Sequence, residues 1–493
     1  MTAATTPQLQ NPFQTPSQQS LDPAVEDVAN ATLSVGQDAS LSLGTDALIV
    51  LGSKTTRAIS FYNILWAELS DAAITIYYAN GISDDAVRPA VLSFPIEKAA
   101  SEQTKAWIER LLQKAYGSAQ RQKRVKVLVN PFGGKGHAQK WYSREIEPIF
   151  AAAKCALDVE QTKYQGQAVD LVEKLDTDAW DVIACCSGDG VPHEVFNGLG
   201  KKKDAIRALE KVAVVQLPCG SGNAMSLNLN GTNSPSLAAL AVVKGIRTPL
   251  DLVSITQGDR RTLSFLSQSV GIVAESDLGT DNIRWMGAAR FTYGFLVRLL
   301  SKTIYPCDIA VGVEIEDKAA IKEAYAREAE DSDTATSTAT DPSTSSGLPP
   351  LRYGTIHSPL PENWSLVPHD TLGNFYAGNM AYMSSDANFF PCALPSDGCL
   401  DLVSIDGHIP RLTALQTLLA VEKGTFFDLA HVGYRKVSGY RIVPRGRRDG
   451  CISIDGERVP FEGFQAEVHR GLGTVLSRSG HLFEAPPPPG LAL

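Results

Sequence analysis

The chain has 493 residues and carries 45 Lys and Arg against 54 Asp and Glu, a formal net charge of −9. That length predicts about three domains, and the acidic balance argues against nucleic acid as a main partner. No run approaches the ~18 apolar residues of a spanning helix, which excludes an integral membrane protein.

In chain order, the first twenty residues hold no Lys or Arg and no apolar core, so residues 1–24 read as a disordered tail rather than a secretory signal, and a cytoplasmic protein is expected. Residues 25–118 alternate short strand-like runs (ALIVLG, RAISFY, ILWAEL, ITIYYA, AVLSFPI) with polar turns. They close on SEQTKAWIERLLQKAYG, where Trp107, Leu111 and Ala115 recur at helical spacing behind Ser101. Strands closed by one amphipathic helix have the topology of a pleckstrin-homology-type module, with a plain β-rich extension as the alternative.

From 122 to 250, the apolar strands VKVLV, DVIACC and VAVVQL each run into a Gly-rich turn and then a helix-compatible stretch, a pattern that implies a parallel sheet covered on both faces. Strand-like runs take over from 251 to 480, interrupted by helical stretches near 284–302 and 411–421, and predict a β-sandwich. The Ser/Thr/Pro/Asp tract at 331–350 cannot bury enough surface to offset its ordering entropy, so a disordered insertion of about 318–362 is expected, with a floppy tail at 482–493. Eight cysteines show neither a C-x-x-C pair nor zinc-ligand spacing and read as reduced structural thiols.

Three turns could carry chemistry. In Asn130-Pro131-Phe132-Gly133-Gly134-Lys135-Gly136, backbone amides can approach phosphate oxygens because no Cβ blocks them. It is neither a P-loop nor a G-x-G-x-x-G motif, and alone it could be only a tight turn. In Ser187-Gly188-Asp189-Gly190, a carboxylate between glycines can orient an acceptor hydroxyl and take its proton; an ordinary Asp-Gly turn is the plain alternative. Glu194, in the first turn of the next helix, suits the helix dipole alone, and His193 reads as a surface or packing residue rather than a catalyst. In Gly220-Ser221-Gly222-Asn223, further backbone donors and a side-chain amide are presented. Three such turns at one edge of a parallel sheet imply a polyphosphate site.

The ordered set NPFGGKG, SGDGVPHEVFNGL and LPCGSGNAMS resembles the lipid kinases of the diacylglycerol kinase superfamily and, within it, the sphingosine or sphingoid long-chain-base kinases, most of all the fungal type. The resemblance covers roughly residues 122–315 and 370–475. It implies a nucleotide-binding parallel α/β domain followed by a β-sandwich lipid-binding domain, behind the N-terminal β-rich module. It further implies ATP and Mg²⁺, with Asp189 as proton acceptor for the lipid's primary hydroxyl. Asn130, Pro131, Phe132, Gly133, Gly134, Lys135, Thr162 with the stretch to Gly166, Glu194, Gly220, Ser221 and Gly222 would surround the nucleotide, joined by Asp455, Gly456 and Glu457 from SIDGERVP. Ser187, Gly188, Asp189 and Gly190 would face the substrate, whose amine Asp277 would contact with Asp281 nearby, while Arg284 and Arg290 would reach the phosphates.

Mg²⁺ would be held by phosphates and waters, with Asp189 or Asp455 as candidate protein ligands. Phe291, Phe295, Leu296, Leu299, Leu300, Phe389 and Phe390 are candidates for an apolar acceptor pocket. The expected partner is a sphingoid-base lipid met by peripheral contact with intracellular or plasma membranes, with the oligomeric state open. A ceramide or diacylglycerol kinase, and a non-catalytic membrane-recruitment scaffold, are the alternative readings.

Overall fold

Among the described residues, seven strands precede the helix Ser101–Tyr116. Strands β1 (Thr32–Val35), β2 (Ala39–Leu43), β3 (Ala47–Gly52) and β4 (Thr56–Ser60) form one sheet in sequence order, and β5 (Ile64–Ser70), β6 (Ala73–Ser83) and β7 (Ala86–Pro95) form another. Leu33, Val35 and Leu41 are buried while Thr32 and Ser34 are exposed, the alternation that one covered face requires. Helix α1 (Ser101–Tyr116) buries Trp107, Leu111 and Leu112, and the Trp107 indole N–H donates to the Ala31 carbonyl at 3.1 Å. The computed structural model describes residues 31–36, 39–70, 73–97, 101–279, 293–294, 297, 303–330, 346–446 and 450–484. The chain divides into two units, Met1–Ile76 with Val91–Ala115, and Tyr77–Ala90 with Tyr116–Leu493.

The second unit opens with the expected α/β pattern. Strands β8 (Arg124–Val129), β9 (Ala156–Gln161), β10 (Val182–Ser187) and β11 (Ala213–Pro218) make a parallel sheet in the order β11-β10-β8-β9. The three apolar runs became β8, β10 and β11, of which β8 and β10 are the inner strands, and Cys185 and Cys186 are fully buried in β10. Strand β9, ALDVEQ, is the exposed edge, whose polar composition hid it from an apolar-run reading. Crossovers include α2 (Ala138–Trp141, continued by a wider turn at Tyr142–Ile146 and a last segment at Glu147–Ala152), α3 (Gln167–Lys174), α4 (Gly190–Gly200) and α5 (Ala205–Lys211). Helices α6 (Ala224–Asn230) and α7 (Pro235–Lys244) follow β11.

The C-terminal strands form one continuous eleven-stranded sheet, not the two separate sheets of a sandwich. Its main path is β13 (Arg260–Ser264), β12 (Ile246–Gln257), β24 (Phe464–Ser477), β21 (Gly433–Pro444), β20 (Leu400–Asp406), β17 (Leu372–Gly378), β14 (Ser267–Gly271), β22 (Ile452–Ile454) and β23 (Glu457–Val459). Strand β15 (Cys307–Ile315) pairs with β21 and with β16 (Val367–His369). The sheet curls: the Tyr440 hydroxyl of β21 donates to Gln268 Oε1 of β14 at 3.0 Å, although two strands separate them in the sheet. Val253, Val270, Phe375, Tyr440, Ile452 and Phe464 fill the core so enclosed.

Helix α8 (Ile272–Leu278) follows β14, and the short pair β18 (Tyr382–Ser384) and β19 (Ala387–Asn388) follows β17. Parts of the span expected to be a disordered insertion are ordered. Residues Lys318–Glu330 form helix α9, which buries Ile321 and Tyr325. Downstream, the Arg352 and Tyr353 amides donate to Glu467 at 2.7 and 2.6 Å. Only 331–345 of that span lies outside the described residues. Helix α10 (Arg411–Glu422) matches the expected one at 411–421, whereas most of 284–302 lies outside the described residues. A shared apolar core that includes Val195, Phe196, Phe265, Tyr376 and Phe390 joins the α/β part to the large sheet.

Candidate active site

The three Gly-rich turns stand side by side because β8 and β11 flank β10. Their glycines are required by backbone contact. A Cβ on Gly188 would meet the Gly222 carbonyl at 2.9 Å, and Gly134, at φ +56°, would place one 3.0 Å from the Cys219 carbonyl. Side chains at these positions would force the loops apart, and Gly134 also needs the left-handed backbone that glycine adopts without a steric penalty. Asn130 Oδ1 accepts from the Phe132 amide at 3.0 Å, and Asn223 Oδ1 accepts from the Gly220 amide at 3.0 Å. Both side chains shape their turns.

Asp189 stands between Gly188 and Gly190 in the second turn. Its two carboxylate oxygens accept from the Ala224 and Met225 amides, each at 3.0 Å, at the start of α6. Burial pushes its carboxyl above the usual aspartate range, and the two amides oppose that shift by favouring the anion. The result is a fixed carboxylate of raised basicity, suited to accept a proton.

Glu194 has a different task from the one its helix position suggested. Its carboxylate receives the Gly166 amide at 2.8 Å and the Ala168 amide at 3.0 Å, so it caps α3 and holds the 162–166 loop against the cavity. Across the cavity, Gln165 Nε2 donates to Glu457 Oε2 at 2.9 Å.

Asp455 does not fit a magnesium ligand. Its carboxylate accepts from Ser264 Oγ at 2.6 Å and from the Phe265, Leu266 and Ser267 amides at 3.0 Å, and His193 Nδ1 stands 2.8 Å away. Those partners occupy its lone pairs, and its side chain is fully buried. It holds a left-handed backbone, φ 52°, which Asp tolerates better than most residues. His193 pairs with Asp455; burial opposes its charge, but Asp455, with Glu457 and Glu194, outweighs that and raises its pKa.

One cavity of about 940 Å³ collects most of the predicted residues. Its wall includes Asn130, Phe132, Gly133, Gly134, Thr162, Gly188, Asp189, Gly190, Glu194, Gly220, Ser221, Gly222, Asp277, Asp455, Gly456 and Glu457. Pro131 and Lys135 are absent from that wall, and Ser187 is fully buried with its hydroxyl donating to the Gly188 carbonyl at 2.8 Å, so it is a strand-end residue and not a substrate contact. Asp281, Arg284 and Arg290 lie outside the described residues, as do Phe291, Phe295, Leu296, Leu299 and Leu300. Phe389 lines the cavity, whereas Phe390 is core beneath it.

The sequence reading missed much of the wall, including its apolar members Val273 and Leu278 of α8, Tyr376, Met383, and Leu418 and Val421 of α10. Tyr376, whose hydroxyl pKa burial raises, also feels the charges of Asp277, Asp455 and Asp189. These residues come from separate elements with ordinary apolar spacing, and no local signal marks them. Among the described residues, no cluster of three or more His, Cys, Asp or Glu is arranged to hold a metal ion.

The backbone amides of three glycine turns, a fixed carboxylate and apolar side chains thus surround one cavity. Residues 124–255 match the diacylglycerol kinase catalytic domain family, and residues 51–117 match a domain of unknown function. The chain is 34% identical to sphingoid long chain base kinase 4 of Schizosaccharomyces pombe, over 85% of this chain and 88% of that one. It is also 34% identical to sphingoid long chain base kinase 5 of Saccharomyces cerevisiae, over 76% of this chain, and spans 62% of that protein's length. Rat sphingosine kinase 1 is 32% identical over 74% of this chain and 95% of its own. A crystal structure of a diacylglycerol kinase from Bacillus anthracis aligns over 72% of this chain and 97% of its own, with 17% identity and a TM-score of 0.48. The chain belongs to the sphingoid long-chain-base kinase family.

Proposed function

We propose that the chain transfers the γ-phosphoryl group of ATP to the primary hydroxyl of a sphingoid long-chain base, releasing ADP and the 1-phosphate. The observation that carries this reading is the single cavity shared by the three glycine turns, Asp189, Asp277 and the apolar wall from α8 and α10. The turns' amides would stabilise charge on the phosphates. Asp189 would orient the lipid hydroxyl and take its proton as the new O–P bond forms and the bond to ADP breaks.

Asp277 supports an amine-bearing acceptor. A protonated sphingoid amine can pair with a carboxylate on the cavity wall, whereas an amide or glycerolipid offers it no cation. A magnesium ion arriving with ATP would neutralise phosphate charge, held mainly by phosphate oxygens and water. The four-plus-three strand arrangement closed by α1 supports a pleckstrin-homology-type role for the N-terminal unit, and the curled sheet supports a lipid-binding role for the C-terminal one. No helix among the described residues is long and apolar enough to cross a membrane, in keeping with a cytoplasmic enzyme bound peripherally to membranes.

An acceptor panel with radiolabelled Mg-ATP tests the reading. Sphinganine, sphingosine or phytosphingosine should be phosphorylated at least tenfold faster than ceramide or diacylglycerol. A preference for ceramide or diacylglycerol would overturn the substrate assignment, and no turnover with any acceptor would overturn the kinase assignment.

A further inference from the structure

Helix α10 presents apolar side chains on two faces. Inward, Leu418 and Val421 wall the cavity, with Ala414, Thr417 and Ala420 buried beside them. Outward, Leu412, Leu415 and Leu419 are 76%, 40% and 43% exposed. Their i, i+3, i+7 spacing puts all three on one stripe. From Leu412 to Val421 the helix carries no charged residue. Single exposed leucines need no explanation, but an apolar stripe on the outer side of a cavity wall marks an interaction surface.

We propose that this outer face of α10 is a membrane-docking surface, with Leu412, Leu415 and Leu419 seated in the apolar layer of a phospholipid bilayer. The proposal rests on the reading of the cavity as a lipid-acceptor site. A bilayer-dissolved substrate must pass from the membrane to a cavity wall, and α10 lends Leu418 and Val421 to that wall, with Glu422 at its end, and carries apolar exposure behind it. The charge pattern sets the mode of contact. An interfacial helix usually pairs its apolar stripe with basic residues that attract anionic lipid; here basic residues stand only at the helix ends, Arg411 and Lys423, the latter beside Glu422, and the whole chain is acidic at −9. The contact is therefore apolar, satisfied by zwitterionic lipid and insensitive to salt.

The test is flotation of the full-length protein with phosphatidylcholine vesicles, at low and high salt. The wild type should float at both, and L412S/L415S/L419S should lower the bound fraction at least tenfold. L366S/V367S, which alters exposed aliphatics elsewhere (42% and 48% exposed), should bind within twofold of wild type. The triple variant should lose at least tenfold in turnover of vesicle-embedded sphingoid base and stay within twofold on base delivered as monomer by albumin. If the triple variant unfolds, L412E alone, at the most exposed position, should still reduce flotation several-fold.

Unchanged flotation of the variants overturns the proposal, as does flotation that requires anionic lipid. A wild-type dimer converted to monomer by the triple variant also overturns it, in favour of a self-association surface. If no sphingoid base is phosphorylated, the substrate reading falls, while the flotation result still decides the docking surface.

Discussion

Gly220 and Gly188 meet backbone to backbone: a Cβ on Gly220 would stand 2.2 Å from the Gly188 Cα and 2.4 Å from its amide nitrogen. No rotamer relieves such a clash, because both partners are main chain. Gly220→Ala should therefore displace the third phosphate turn relative to Asp189. Misplacement by about 1 Å costs roughly 10²-fold, so kcat/KM for ATP should fall by about that factor in steady-state assays. A variant within threefold of wild type would show that the turns are not held by this contact.

Asp189→Asn keeps the shape of the side chain and removes the base. One oxygen can still accept an amide of α6, but the new NH₂ faces the other N–H, so a modest loss of thermal stability is expected alongside a kcat loss of about 10²–10⁴-fold. ATP affinity, measured by calorimetry, should change little.

The same carboxyl sets a pH dependence. Burial raises its pKa, and only the deprotonated form accepts the hydroxyl proton. Activity should fall as pH drops through this raised value, so the acid limb of kcat should lie above the ordinary aspartate value of about 3.9. Above the limb, this group imposes no further loss. An acid limb at or below that ordinary value would remove Asp189 from the role of base.

Asp277→Asn should raise KM for a sphingoid base about tenfold or more, the scale of a lost charge-assisted hydrogen bond, and leave KM for ATP within about twofold. Asp277 lines the cavity from α8, with Ser453 Oγ donating to its Oδ2 at 3.3 Å. Equal effects on both KM values would mean that the amine is held elsewhere.

Asp455→Ala separates a structural hub from a metal ligand. It would strand Ser264 Oγ, three buried amides and the His193 ring, a loss of about 3–5 kcal/mol by analogy with broken buried pairs. Chemical denaturation should show that loss without ATP or Mg²⁺. A variant of wild-type stability whose activity recovers at high Mg²⁺ would restore the ligand role.

Phe132 and Tyr164 are 71% and 56% exposed and line the same cavity. If the cavity takes ATP as proposed, aromatic faces open to it are platforms for the base, worth about 1–3 kcal/mol each. Phe132→Ala and Tyr164→Ala should each raise KM for ATP at least about fivefold, with kcat little changed.

Much of the architecture was legible in the sequence because it depends on local periodicity. Three apolar runs ending in glycine turns determined a parallel sheet with its loops at one edge, and the spacing of Trp107, Leu111 and Ala115 determined α1. The same loops marked Asp189 and the backbone donors around it. Tertiary structure alone decided which partner each polar group took. Glu194 serves a helix that precedes its own, and Asp455 serves amides 188 to 190 residues away. Composition overstated the insertion, because burial of Ile321 and Tyr325 against distant elements stabilises α9. The apolar half of the cavity was likewise invisible. Val273, Tyr376, Met383 and Leu418 lie on separate elements, and only the curl of the large sheet against the α/β part brings them around one space with Asp189.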